Sequence, residues 1–328
     1  MTVRLPHHQP IHDADRVGAG RMCPVDYVYP PAVFDRDPEI EAAVLYAVGG
    51  LYGNLAACEA LRQLAAAEPT PPTVVCNGDF HWFDAEPRWF AEVERAVAPH
   101  HALRGNVETE IARDGDIGAG CGCAYPPSVD ADTVRRSNEI LRALRATAPE
   151  AARRRLARLP MHLVARVGSL RVGIVHGDAA SLAGWRFAQD SLDPALDKPA
   201  ARAWLDDVRR AARIDLFAST HTCLAALRDF ALPGGRLTVV NNGAAGMPNF
   251  AGSSFGLITR IATAPSPHRP LYGLRRDGVH IDALPLHYDQ RAFLDRFLAR
   301  WPDGSPAHQS YFSRISAGPE YPMARAVA

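Results

Sequence analysis

The sequence predicts an α/β protein of the α+β type, and three observations carry the prediction. From residue 42 to about residue 108, short apolar runs alternate with stretches of helical period, the pattern of βαβ units and a largely parallel sheet. From Met161 to Leu286, alternating runs joined by turns such as Gly168-Ser169 and Asp277-Gly278 read as hairpins, so the second half is strand-rich and forms a second sheet. Hydrophobic residues make up 47% of the 328, enough to bury a sizeable core in one large domain or two small ones.

Composition narrows the function. The formal net charge is zero, which argues against nucleic-acid or membrane-surface binding driven by bulk charge. Lys198 is the sole lysine, and the Arg- and Ala-rich usage suggests a GC-rich, bacterial coding sequence. The six cysteines, some inside apolar runs, do not form the framework of a small disulfide-stapled fold. The opening MTVRLPHHQP lacks an apolar signal core, and no run of about 18 apolar residues is present, so a cytoplasmic location is expected.

Residues 1–41, rich in Pro, His and Asp without periodicity, read as an extended arm. Its His7, His8 and His12 are a candidate metal tract or simply a solvated loop. Residues 42–286 form the main domain. In it, Ala42–Val48 is a buried strand, Gly49–Gly53 a tight turn, and Asn54 the cap of a helix striped by Leu55, Cys58, Leu61 and Leu64. That turn lacks both the G-x-G-x-x-G spacing and a P-loop lysine, so a plain strand-to-helix turn competes with a phosphate cradle. Thr73–Cys76 is the next strand, and it ends in Asn77-Gly78-Asp79. A carboxylate at the carboxyl edge of a buried strand is a candidate ligand or acid–base group, although Asn-Gly-Asp is also ordinary turn chemistry.

A helix starts at Pro87, and a third strand, His101–Arg104, ends in Gly105-Asn106-Val107-Glu108. Residues 109–158 form a helical insertion after a glycine-rich stretch with Cys121-Gly122-Cys123. That pair is a candidate thiolate site, but a zinc site wants about four ligands and no second pair lies nearby. Met161–Val167 and Leu170–Val175 make a hairpin that ends in His176-Gly177-Asp178. Residues 181–212 carry Trp185, Phe187 and Trp204 on helical, cap-like segments. Asp215–Ala218 leads into Ser219-Thr220-His221. Strands follow at Leu237–Val240, 256–262, 271–275 and 279–285. A last helix, Tyr288–Trp301, and an irregular tail occupy 287–328.

Asp79, Asn106, His176 and His221 thus each stand at the end of a strand beside glycine or a turn. A carboxylate, an amide oxygen and two imidazoles suit one centre of Mn, Fe or Zn, which would lower the pKa of a bound water and clamp phosphoryl oxygens.

The segments Gly50-Leu51-Tyr52-Gly53-Asn54-Leu55, Gly78-Asp79, Gly105-Asn106-Val107-Glu108, Val175-His176-Gly177, Ala218-Ser219-Thr220-His221 and Asn242-Gly243-Ala244, in that order, resemble the motifs of the calcineurin-like metallophosphoesterase family. The likeness is greatest to its small bacterial branch and runs from about Ala43 to Leu286. It implies a four-layer α/β/β/α sandwich of two mixed β-sheets flanked by helices. It also implies hydrolysis of a small-molecule phosphate mono- or diester by metal-activated water. The ligand set implied is Asp79, Asn106, His176 and His221, with Asn54, Arg104 and Tyr52 as candidate phosphate contacts. His81, Glu108 and Ser219 would act from behind the ligands; His81 and Asp84 are also spare ligand candidates, or His81-Trp82-Phe83 is aromatic packing. An Arg at the position of Arg104 is equally a surface ion-pair partner.

The departures from the family pattern are as informative. Gly50 and Tyr52 stand where the first motif supplies an Asp and a His, Val107 where a His contacts the phosphoryl group, and Ser219 where another His ligates. The resemblance therefore implies one divalent metal, or at most two, in a depleted site. The alternative is an inactive relative that binds a phosphorylated ligand or protein partner.

Overall fold

The computed structural model describes residues 18–327 except residue 116, and the side chains of 194–197 are not described. His7, His8 and His12 lie outside the described residues. The first half contains β1 (Ile40–Glu41), β2 (Val44–Val48), α1 (Leu55–Ala66), β3 (Thr73–Asn77), α2 (Pro87–Val97), β4 (His101–Leu103) and α3 (Asn106–Ala112). Then come α4 (Ala131–Thr147), α5 (Glu150–Ala157), β5 (His162–Val167), β6 (Leu170–Val175), α6 (Gln189–Asp197), α7 (Pro199–Ala212) and β7 (Leu216–Ser219). The chain continues through β8 (Ala226–Leu232), β9 (Gly235–Asn241), β10 (Gly256–Ala262), β11 (Tyr272–Arg276), β12 (Val279–Leu286), α8 (Gln290–Arg300) and α9 (Pro306–Ala317).

Two mixed six-stranded sheets result. One runs β11-β12-β10-β2-β3-β4, with β2, β3 and β4 parallel; the other runs β1-β5-β6-β7-β9-β8, with β6, β7 and β9 parallel. Strand residues alternate between two buried faces. Leu45, Ala47 and Val75 of one sheet pack against Val172, Ile174, Leu216 and Ala218 of the other, forming a core between the sheets. Their neighbours Tyr46, Val48 and Cys76 face outward onto a helical layer with Leu61, Val93, Phe297 and Ile315. On the far side, Phe217 and Val239 pack on Leu205 and Val208 of α7. Burial of both faces explains why these strands read as unbroken apolar runs. The α/β/β/α layering is the expected one.

Four local expectations need correction. The arm is not featureless: short 3₁₀ turns at Val25–Tyr27 and Pro31–Phe34 precede β1, which pairs with β5. The strands at 256–286 do not build the second sheet; β10 pairs antiparallel with β2 and extends the first. β8 was not anticipated, because ALRDFAL alternates imperfectly, yet it pairs with β9 through a Pro-Gly-Gly turn region. The tail is not irregular: α9 spans Pro306–Ala317, with Pro at its first position and Gly318 after its end, both of which are helix-boundary signals.

Candidate metal centre and its pocket

The four candidate ligands leave the carboxyl ends of strands from both sheets. Asp79 follows β3, Asn106 opens α3 after β4, His176 follows β6 and His221 follows β7. Asn106 is therefore at a helix start, not in a strand-end turn. The two sheets are tied at this edge. The Asn77 side-chain amide donates to the Ala218 carbonyl at 3.3 Å, and His176 Nδ1 lies 2.9 Å from the Asn77 carbonyl.

Asp79 has φ +52°, held by its surroundings rather than by preference. Glu108, fully buried, accepts the backbone N–H of Asp79 at 2.7 Å, of Gly105 at 2.9 Å and of His81 at 3.2 Å. One carboxylate thus pins the loop after β3 and the start of α3 together. Burial, and then the nearby charge of Asp79, push the Glu108 carboxyl up to about 7, while the N–H donors pull the other way. Gly78 and Gly105 are required by this approach. A Cβ on Gly105 would lie 2.2 Å from Asp79 Oδ1, and one on Gly78 would lie 2.5 Å from the Gly105 nitrogen.

The ligand atoms converge on His176 Nε2. It lies 3.1 Å from Asn106 Oδ1, 3.1 Å from His221 Nδ1 and 3.4 Å from Asp79 Oδ1. The opposite edges of these groups are already engaged. His176 Nδ1 is used by the Asn77 carbonyl, His221 Nε2 by the Cys123 carbonyl at 3.0 Å, and the Asn106 amide nitrogen by the Cys121 carbonyl at 2.9 Å. Carbonyl partners accept only, so each remaining inward atom carries a lone pair. A single proton on His176 Nε2 can serve one neighbour well. A cation among them would serve all four, and the 3.1–3.4 Å separations from His176 Nε2 are those of neighbouring ligands at bonds of about 2.0–2.2 Å. Among the described residues, Asp79, His176 and His221 form the one group of His, Cys, Asp or Glu side chains able to hold a metal ion. The donor set therefore fits a divalent metal.

The electrostatics differ between the two histidines. Burial, helped by His176, pushes His221 down to about 4, so its imidazole is neutral and can ligate. Burial also opposes charge on His176, but Asp79, the Asn77 carbonyl and Glu108 together raise its pKa, so a bound cation would take the place of its proton. Cys121 and Cys123 do not join the group. Burial pushes the Cys123 thiol well up, and its contribution is its carbonyl, which accepts from both His221 and Trp185 Nε1 at 3.0 Å.

The other expected residues are placed as follows. Tyr52 lines the pocket above the ligands, its hydroxyl 2.7 Å from Cys223 Sγ. Asn54 caps α1, accepting from the Ala57 N–H at 3.0 Å and donating to the Gly246 carbonyl at 2.9 Å, so its polar groups face the scaffold. Arg104 donates to the Ala157 carbonyl at 3.0 Å and does not line the pocket. Ser219 donates to the Gly177 carbonyl at 2.5 Å, away from the ligands. His81 stacks on Phe90, with Asp84 on one ring nitrogen at 2.5 Å and Glu94 on the other at 2.9 Å, so neither nitrogen is free to ligate.

The pocket encloses about 160 Å³ over Asp79, Asn106 and His221. Trp82, Tyr125, Trp185 and Tyr311 supply aromatic walls, and Arg314 stands among them. Trp185 is on the loop before α6, not on a helix. Tyr311 and Arg314 come from α9, which sequence reasoning missed; the Ser305-Pro306 start and the i, i+3 spacing were the available signals.

Residues 44–243 match the model of the calcineurin-like phosphoesterase family. Among solved structures, the chain is similar to a hypothetical protein, PH1004, of Pyrococcus horikoshii OT3 (16% identity, TM-score 0.56, covering 84% of this chain and 99% of that one). It is similarly close to a metallophosphoesterase of Sphaerobacter thermophilus (16% identity, TM-score 0.52, covering 84% and 100%). At such identity these likenesses speak to the fold alone. Among curated proteins no match is found.

Proposed function

The chain belongs to the calcineurin-like phosphoesterase family, and from that premise we propose that it hydrolyses a phosphate mono- or diester at a depleted centre holding one divalent metal ion. The observation that carries the reading is the convergence of Asp79 Oδ1, Asn106 Oδ1 and His221 Nδ1 on His176 Nε2. A divalent ion there would supply water activation at neutral pH and charge neutralisation on the phosphoryl oxygens. The chain's own part is orientation. The Asn77 and Cys123 carbonyls fix which ring nitrogen of each histidine points inward, and Glu108 fixes the backbone that carries Asp79. The aromatic walls shield the site from bulk water, which strengthens every charge interaction inside.

The single-metal reading is supported by Tyr52. Its ring folds back over Gly50, where an added Cβ would lie 2.3 Å from Tyr52 Cζ. The phenol thus fills the space that a side chain at residue 50 would need. Gly50→Asp alone is expected to destabilise the fold by about 1–3 kcal/mol through overpacking, without raising the metal content. Gly50→Asp with Tyr52→His removes the clash, adds a carboxylate and an imidazole, and is expected to take up a second metal. Elemental analysis of the two variants checks this; a second metal in the Gly50→Asp single variant contradicts it.

The activity test is turnover of p-nitrophenyl phosphate and bis-p-nitrophenyl phosphate with Mn²⁺, Fe²⁺ or Zn²⁺. Turnover dependent on one of these ions is the expected result. Metal uptake without turnover in any of them contradicts the hydrolase reading and favours a relative that binds a phosphorylated ligand.

A further inference from the structure

We propose that Arg314 of α9, which lines the pocket shared with Asp79, Asn106 and His221, binds the phosphoryl group of the substrate. The proposal rests on the phosphoester reading of the site for the identity of its ligand. Among the described residues, Arg314 is the one arginine or lysine lining the pocket. One guanidinium nitrogen, Nη2, donates to the Cys223 carbonyl at 2.6 Å, which ties the side chain to the loop carrying His221. Its Nε is buried without a hydrogen-bond partner, and among the described residues no carboxylate lies within 4.0 Å of its guanidinium.

Arg314 is half-buried, and the molecule's deeply buried arginines contrast with it. Arg228 is paired with Asp193 at 2.6 Å, Arg260 with Glu68 at 2.6 Å, and Arg276 with Asp277 at 3.4 Å. Two other arginines, Arg104 and Arg153, also have an unpartnered buried Nε, but neither lines the pocket. A guanidinium held in a partly enclosed, aromatic-walled cavity without an anion is poised for one, and its planar fork suits phosphoryl oxygens. The site beneath it already carries one carboxylate, Asp79, whose charge a bound cation would offset.

The walls narrow the substrate class. Tyr311, one turn before Arg314 on α9, and Trp82 lie edge to face with ring centroids 6.3 Å apart, while Trp185 lies 5.4 Å from His221. About 160 Å³ between such walls takes a phosphoryl group with a compact, flat substituent. Arg314 therefore reads the phosphate, and the rings read what it is attached to.

The test is binding of inorganic phosphate to the full chain, by calorimetric titration in excess Mn²⁺, with metal content measured on the same samples. Wild type, Arg314→Lys and Arg314→Gln are compared, and thermal melts confirm that each is folded. The expected result is unchanged metal content, with phosphate affinity falling about 10- to 100-fold in Arg314→Gln and less in Arg314→Lys. In turnover of phenyl phosphate the loss should appear mainly in KM. Phosphate binding in Arg314→Gln equal to wild type at equal metal content overturns the proposal. A loss in Arg314→Gln that disappears once metal content is restored overturns it as well. Should wild type prove inert toward every ester while Arg314→Gln still loses phosphate, the hydrolase reading fails and the anion site stands.

Discussion

Asp79→Ala is expected to lower phosphoester turnover by about 10³-fold or more, because it removes the one carboxylate from an otherwise neutral set of metal ligands. Asn106 and the two histidines that remain offer lone pairs but no charge to offset a divalent ion. The substitution also leaves the Val107 N–H, 3.2 Å from Asp79 Oδ1, without its acceptor. It further forces alanine to hold φ +52°, at a cost of about 1 kcal/mol. The measurement is kcat/KM for p-nitrophenyl phosphate at saturating Mn²⁺, beside a melt showing that the variant is folded. An unchanged rate contradicts the assignment of Asp79.

Glu108→Ala is expected to cost about 3–5 kcal/mol of stability, although Glu108 touches no substrate. Its carboxylate is the shared acceptor for three buried N–H groups, those of Asp79, Gly105 and His81. Glu108 is fully buried. Removing it leaves those donors unpaired and frees the strained backbone at Asp79. Metal affinity should fall with it, by about 10- to 100-fold. Glu108→Gln keeps the shape but turns an amide N–H₂ toward a donor, so it should lie between wild type and Glu108→Ala. Urea unfolding and Mn²⁺ titration check both variants; equal stability of Glu108→Ala and wild type contradicts this role.

Much of this was legible in the chain. Val74, Val75 and Cys76 announce a strand buried on both faces, and Gly78 announces the turn that exposes Asp79. The same logic places His176, followed by Gly177, and His221, after Ser219-Thr220, at strand ends, because an apolar run that stops at polar residues is a local signal. What the sequence does not carry is long-range assembly. The strands at 256–286 have ordinary hairpin patterns, and nothing local says that β10 docks on β2 rather than on a second sheet. The resemblance places Glu108 behind the ligands, but which N–H groups its side chain gathers from two loops is visible only in the fold. The Cys123 carbonyl is a backbone atom and leaves no trace in residue identity at all. Asn54 reads both as the cap of a helix and as a candidate phosphate contact, and the cap is found. Its capping bond and its bond to the Gly246 carbonyl turn its polar groups toward the scaffold, an arrangement that residue identity alone does not show.

The measurement that tests the account most directly is the metal content of the wild-type chain after dialysis against Mn²⁺ and removal of loosely held ion. A reduced ligand set with Tyr52 filling the neighbouring space predicts close to one metal per chain. Two tightly held ions per chain, or none, would contradict it.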